Sequence, residues 1–444
     1  MRQILAALRP GPRKLALAAA IAAAVPLAAA GGANAAVTSV STAAQLKAAI
    51  TAANTNAGPD TIKLSGNTTF QLDVPVSFTD TTGTTTVTSD HTLQAPLAGG
   101  PTISGVASTN LDADLITINA GVSVNFQGFT ITAGVQNAGF GTLKDLGSLK
   151  LDSMLISNNQ GPQLSLEGPG IGAPASATIT NTTIARGQDT GIQVLNAANV
   201  SPLTLTNSDL VLNTSVGIDA GGLDVQFNNT LVTGNTAGNC LNMGAASGAT
   251  TSFDTDGSCP GTTQKTTAQV ALSALVQHGG PTFSYLPGAA SQAINAGTAA
   301  LCPAVDQRFF VRSGACDIGA IEVGAVQDTT APGCTVTGLV TGPPKQQLVT
   351  LADGGSGIYD GSVYTTTNSV VGPGAIPPIP TNGGLAISNG SIAFTPAAPA
   401  VAGFPSSVGP TGAVVLTATK TDQAQLTRWA FSASDWAGNT SDCR

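Results

Sequence analysis

Five stretches of the chain repeat one pattern: FQGFTI from Phe126, LDSMLI from Leu151, ITNTTI from Ile179, LTNSDL from Leu205 and FNNTLV from Phe227. Each opens on an apolar residue, places Gly, Ser or Asn two positions on, and returns to an apolar residue five positions from the first. Successive starts lie 25, 28, 26 and 22 residues apart. A repeat of this length holds about three short strands and three turns. One such coil cannot bury its apolar face alone, whereas stacked coils bury one another's. Asn at a corner tolerates the left-handed conformation that a sharp turn needs. The pattern therefore predicts an all-β chain built on a right-handed parallel β-helix. A β-sandwich would also show short alternating strands, but it does not require a fixed internal pattern at this period. GIQVLN from Gly191 and GIDAGG from Gly217 read as the next strand of their coils, and TISG from Thr102 and LITINA from Leu115 as irregular coils upstream.

Composition agrees. Aromatics are 4% and charged residues 9% of 444. So few Lys, Arg and Glu leave little to cover exposed helix faces. One amphipathic helix is expected, from Thr42 to Asp60, with Leu46, Ala49 and Ile50 inward. It would cap the open end of the solenoid.

Residues 1–35 read as a secretory signal peptide: a basic start at Arg2, Arg9, Arg13 and Lys14, an apolar run Leu15–Ala30, and a small-residue cleavage site at Ala33-Asn34-Ala35. Its removal leaves 12 basic against 24 acidic residues, a formal net charge of −12. A surface this acidic argues against nucleic acid as a partner. No later stretch is apolar enough for a membrane span. The expected location is extracellular, either free or held at the cell surface. In an exported chain, six Cys argue for disulfides. The simplest of the 15 possible pairings is sequential: Cys240–Cys259, Cys302–Cys316 and Cys334–Cys443.

Two stretches carry resemblances. LKAAITAANTNAGPDTIKL (46–64) resembles the start of bacterial secreted β-helix proteins, matching at Leu46, Ala49, Ile50, Asn54, Asp60, Thr61 and Ile62. HGGPTFSYLPGAASQAINAG (278–297) with CPAVDQRFFVRSGACDIGAIE (302–322) resembles the choice-of-anchor Q domain of pectate-lyase-like proteins, departing from it at Asn295 and Phe309. The resemblance implies a segment that closes the β-helix, and it implies no activity. WAFSASDWAGNTSDC (429–443) resembles the last strand of bacterial immunoglobulin-like domains, with Asp435, Gly438 and Asn439 in its turn. The expected organisation is a signal peptide over 1–35, a capped β-helix over 36–275, a closing segment over 276–325 and an immunoglobulin-like β-sandwich over 326–444. DTTAP (328–332) reads as a linker-like opening and GPGAIPPIPT (372–381) as a loop.

Residues that could carry chemistry are sparse. A lyase needs a basic residue and acid-bound calcium; Lys144, Lys150 and Arg186, with Asp145, Asp152 and Asp189 near them in sequence, are the candidates. Lys150 and Asp152 would face outward on one strand. A glycosidase needs two carboxylates about 5–10 Å apart. Asp209, Asp219 and Asp224, on neighbouring coils, could supply them. His278 precedes a Gly-Gly-Pro turn and reads as structural, and His91 has no evident partner. Asp254-Thr255-Asp256-Gly257 opens like a calcium loop but lacks the later ligands. Asp353 and Asp435 could hold calcium at a loop end. Asp306, Gln307, Arg308, Arg312 and Asp317 form the densest charged cluster, read as a structural lock. The resulting expectation is a secreted or surface protein that binds an extracellular polysaccharide or a surface protein without catalysis. The alternative is a polysaccharide lyase or glycoside hydrolase.

Overall fold

The computed structural model describes residues 36–58, 60–89, 99–105, 113–134, 140–358, 364–371, 389–395, 413–424, 426–435 and 437–443. The predicted signal peptide, His91 and the Pro-rich 372–381 stretch lie outside them. Three parallel sheets of nine, seven and nine strands, here called A, C and B, make a β-solenoid. The chain runs A, B, C in each coil: Ser148–Asp152 lies in A, Leu155–Ser157 in B and Leu164–Glu167 in C.

The repeated sextets straddle the corner between sheets A and B. Their first apolar residues stack in register along sheet A: Phe126, Leu151, Ile179, Leu205 and Phe227. Their last apolar residues stack along B: Ile131, Ile156, Ile184, Leu210 and Val232. All ten are buried in one continuous core. The residue between them takes positive φ on every rung, as Gly128 (69°), Ser153 (56°), Asn181 (47°), Asn207 (44°) and Asn229 (48°). Asn reaches this conformation more cheaply than other non-glycine residues.

A second amide ladder follows the corner between B and C. Asn159 Nδ2 donates to Gln163 Oε1 (2.9 Å), Gln163 Nε2 to Asn213 Oδ1 (2.8 Å), Asn213 Nδ2 to Asn235 Oδ1 (2.9 Å), and Asn235 Nδ2 to Asn239 Oδ1 (3.0 Å). Gly187 occupies the rung between Asn159 and Asn213. A Cβ there would stand 2.9 Å from Gln163 Cγ, so Gln163 fills the place of the missing side chain.

The capping helix is shorter than the sequence suggests, Ala43–Ala53 rather than Thr42 to Asp60. Thr42 caps its start by accepting from the Gln45 N–H. Asn54 stops it by turning its amide to the next coil, donating to Ser77 O (2.7 Å) and accepting from Thr79 N (2.8 Å). Gly58, at φ 107°, then turns the chain away. Leu46, Ala49, Ile50 and Ala53 cover the solenoid's end.

Residues 266–325 fold back along the outside of sheet B. Beyond them come antiparallel sheets of four and three strands. In Leu426–Ser434, Phe431 and Ala433 are buried and Trp429 partly so, which is the expected half-buried alternation. WAFSASDWAGNTSDC is two strands, not one: Ser434 pairs with Thr440 across a turn holding Asp435 and Gly438. Disulfides join Cys240 to Cys259 and Cys302 to Cys316. Cys334 is also disulfide-bonded; the side chain of Cys443, its expected partner, lies outside the described ones.

Candidate functional site

Outward residues of sheet A form continuous rows at the strand spacing of about 4.8 Å. One row is Asn125, Lys150, Thr178, Thr204 and Gln226; the next is Asp152, Thr180, Thr206, Asn228 and Thr250. All ten are at least partly solvent-exposed. Rungs are tied laterally, as where Ser176 Oγ donates to Ser148 Oγ (3.2 Å). Over these ten positions the wall is neutral apart from Lys150 and Asp152. These two share one strand facing outward as expected, but they make no ion pair with each other among the described residues. Asp152 accepts from Ser153 Oγ (3.0 Å) and Asn181 Nδ2 (3.4 Å). Burial raises its pKa above the ordinary carboxylate value.

The structure does not bring Asp209, Asp219 and Asp224 together. Asp209 lies on sheet B, Asp219 on sheet C, and Asp224 in the turn leading into sheet A. Asp209 is buried beneath the closing segment, where its carboxylate accepts from Ala320 N. Asp219 accepts from Gly221 N and Asn242 Nδ2, and Asp224 from Ala246 N. Each satisfies local turn backbone or a neighbouring rung. Of the basic candidates, Arg186 donates to the Tyr285 hydroxyl (2.9 Å). Lys144 on sheet C sits between Glu167 (2.6 Å) and Asp114 (3.9 Å), two acids that the sequence reading did not single out. Asp145 points into the core, and Asp189 accepts from Thr190 N. The two carboxylate oxygens of Asp254 accept from Gly257 N and Cys259 N, which closes a turn.

The cluster at 306–317 is joined by ion pairs and hydrogen bonds, within residues 306–322 and to the solenoid. Arg308 pairs with Asp306 (2.5 Å) and donates to Glu322 O. Arg312 pairs with Glu322 (3.0 Å) and donates to Asn181 Oδ1 on the solenoid corner (3.0 Å). Asp317 accepts from the backbone N–H of Asn295 and Val323 rather than pairing with an Arg. Gln307 reaches sheet B, where Thr183 Oγ1 donates to its Oε1 (2.6 Å). His278 is a turn staple, its Nδ1 on Ser284 O (3.0 Å). Phe309, where the resembled family has Gly, takes φ 62° and lays its ring against Gly128.

In the C-terminal unit, Asp328, Asp353 and Asp435 offer carboxylate oxygens within 4.8 Å of one another, all three residues buried. Asp328 therefore belongs to no free linker; it accepts from Thr330 N (2.9 Å) and Ser356 N (2.6 Å). Among the described residues no Lys or Arg pairs with any of the three. Burial, and then repulsion from its two neighbours, pushes Asp435 up to about 7. Hard oxygen donors converging without a counter-charge suit a divalent cation such as calcium. Asp328 lay in the sequence as part of DTTAP, and only the fold shows its company.

The chain matches no known family model, no curated protein and no solved structure.

Proposed function

We propose that the protein is an exported, non-catalytic binding protein whose sheet A wall lies against a neutral polysaccharide. The observation that supports this reading most is the wall itself: parallel rows of hydroxyl and amide side chains, repeated at the strand spacing. Such rows offer a donor and an acceptor at each rung and little charge. A polymer of hydroxyl-rich units can meet several rungs at once, so weak single contacts sum. A polyuronate is disfavoured by the chain's net negative charge. The test is retention on insoluble neutral glycans, with reducing sugar and unsaturated product measured in parallel. Retention without turnover supports the reading. Turnover would overturn it and direct attention to Lys144, Asp114 and Glu167, where two acids flank one amine, all three half-buried.

On this reading the C-terminal antiparallel sheets are an immunoglobulin-like spacer, and residues 276–325 a choice-of-anchor Q-type closing segment. Calcium at Asp328, Asp353 and Asp435 would neutralise the three carboxylates and hold the segment opening at Asp328 to the loop carrying Asp353. Calcium titration followed by thermal melting tests this. A rise in Tm lost in Asp353→Asn supports it, and an unchanged wild-type Tm overturns it.

A further inference from the structure

Between the outer face of sheet B and the segment folded over it, three reactive groups are sealed together: Thr183 and Asp209 from the sheet and Gln307 from the segment. Thr183 and Asp209 are cross-strand partners on that face. Thr183 Oγ1 donates to Gln307 Oε1 at 2.6 Å, and the Asp209 carboxylate stands beside it on the adjoining rung. Thr183 and Gln307 are fully buried and Asp209 is 2% exposed. The Gln307 amide has one orientation. Its Nε2 faces Met154 O (3.1 Å) and Phe283 O (3.3 Å), both acceptors only, so its oxygen must face Thr183. A hydroxyl, an acyl carbon and a base thus meet where water is excluded, which is the arrangement of acyl transfer.

We propose that Thr183 and Gln307 become joined by an ester bond that the folded protein forms itself, with Asp209 as general base. For the step the Thr183 hydroxyl turns its one proton from Gln307 Oε1 to Asp209, which takes it as Oγ1 attacks Cδ of Gln307. The proton then passes to the amide nitrogen, the C–N bond breaks and ammonia leaves. One C–O bond replaces one C–N bond, and nothing is oxidised or reduced. Burial lifts the Asp209 pKa to about 7, which suits a base working at neutral pH. Once formed, the ester is shielded from hydrolysis by the same burial. The two located disulfides close loops within 240–259 and within 302–316, so neither ties the closing segment to the solenoid. The ester would do so, across 124 residues.

The test is the mass of the purified full chain after reduction and denaturation. The expected result is a deficit of about 17 Da, one ammonia, with a branched peptide joining the segments that carry 183 and 307. Mild alkali should add back about 18 Da and leave Glu at position 307. Thr183→Val, corrected for the substitution, should show no deficit, and Asp209→Asn should slow or abolish its appearance. A wild-type chain of full mass with a linear Gln307 peptide overturns the proposal whether or not the variants fold. A deficit that persists in Thr183→Val also overturns it.

Discussion

Sheets A and B come from the same coils and share one core, yet their outer faces differ. On its rungs from Ser148 to Thr250, sheet A carries Thr, Ser, Asn and Gln in contact with solvent. Sheet B carries Ala185, Val211 and Leu231, together with Thr183 and Asp209, beneath residues 266–325. The corner between them decides which wall is covered. Asn181, Asn207 and Asn229 turn the chain and also aim their amides at the closing segment. Asn181 accepts from Arg312 (3.0 Å), Asn207 donates to Asp317 O (2.9 Å), and Asn229 both accepts from Thr298 N (2.7 Å) and donates to Thr298 O (3.1 Å). One residue per rung therefore serves as corner and docking rail. A solenoid can keep one wall for display and surrender another to packing without changing its repeat.

The largest effect should come from the rail. Asn229→Ala leaves the half-buried Thr298 backbone without its Asn229 partner and puts Ala at φ 48°. The expected cost is about 3–5 kcal/mol in chemical denaturation. The corresponding change on the display wall, Thr204→Ala, should stay within about 0.5 kcal/mol. If the two costs were equal, the distinction between the walls would fail. Sheet C supplies the next effect, because Asp145 breaks the rule that inward rows are apolar. Its Oδ1 accepts from Gly147 N, its Oδ2 has no partner, and burial raises its pKa to about 7. A raised carboxyl pKa means the folded state holds its proton longer than the unfolded chain. Its contribution to stability is therefore greatest below pH 4 and falls as pH rises to 7, by up to about 4 kcal/mol. Asp145→Asn should flatten that slope in melts taken from pH 4 to 8, and an unchanged slope would remove Asp145 as its source.

The coils were legible because their cause is local and repeated. Apolar positions at fixed offsets and a Gly, Ser or Asn at each A–B corner are sequence properties, and the structure places each where the pattern required. An Arg–Asp pair was legible in the 306–317 cluster, and Arg308 pairs with Asp306, whereas Arg312 takes Glu322, which the cluster did not include. Thr183 with Gln307 was not legible as a group, and of the three clustered acids Asp353 and Asp435 were read as a loop-end pair while Asp328 was not. Their members lie far apart along the chain, and no periodicity links a solenoid rung to a strap folded over it. Asp209, Asp219 and Asp224 misled for a related reason. Spacing tells which coil a residue occupies, but a one-strand difference moves it to another wall. Gly187 shows the same limit on a smaller scale. The sequence shows a gap in the Asn ladder, and only the structure shows Gln163 filling it. Gly187→Asn should therefore overpack the corner and cost about 1–3 kcal/mol, with part recovered by adding Gln163→Ala.

The smallest effect on stability should accompany the largest on function. Thr178 and Thr204 are adjacent on the display wall, and neither side chain is buried. Replacing both with Ala removes two hydroxyls whose partners are solvent, so the Tm should move by no more than a degree or two. If the wall binds a neutral glycan, the same double change removes two contacts from one row. Each is worth about 0.5–1.5 kcal/mol, so retention should weaken on the order of tenfold. Covered positions predict the reverse: Val211→Ala on sheet B, packed against Tyr285, should lower the Tm and leave retention unchanged. Measuring both variants for both properties separates display from packing. Loss of retention in Val211→Ala with none in the sheet A variant would place the binding face on the covered side and dissolve the contrast between the walls.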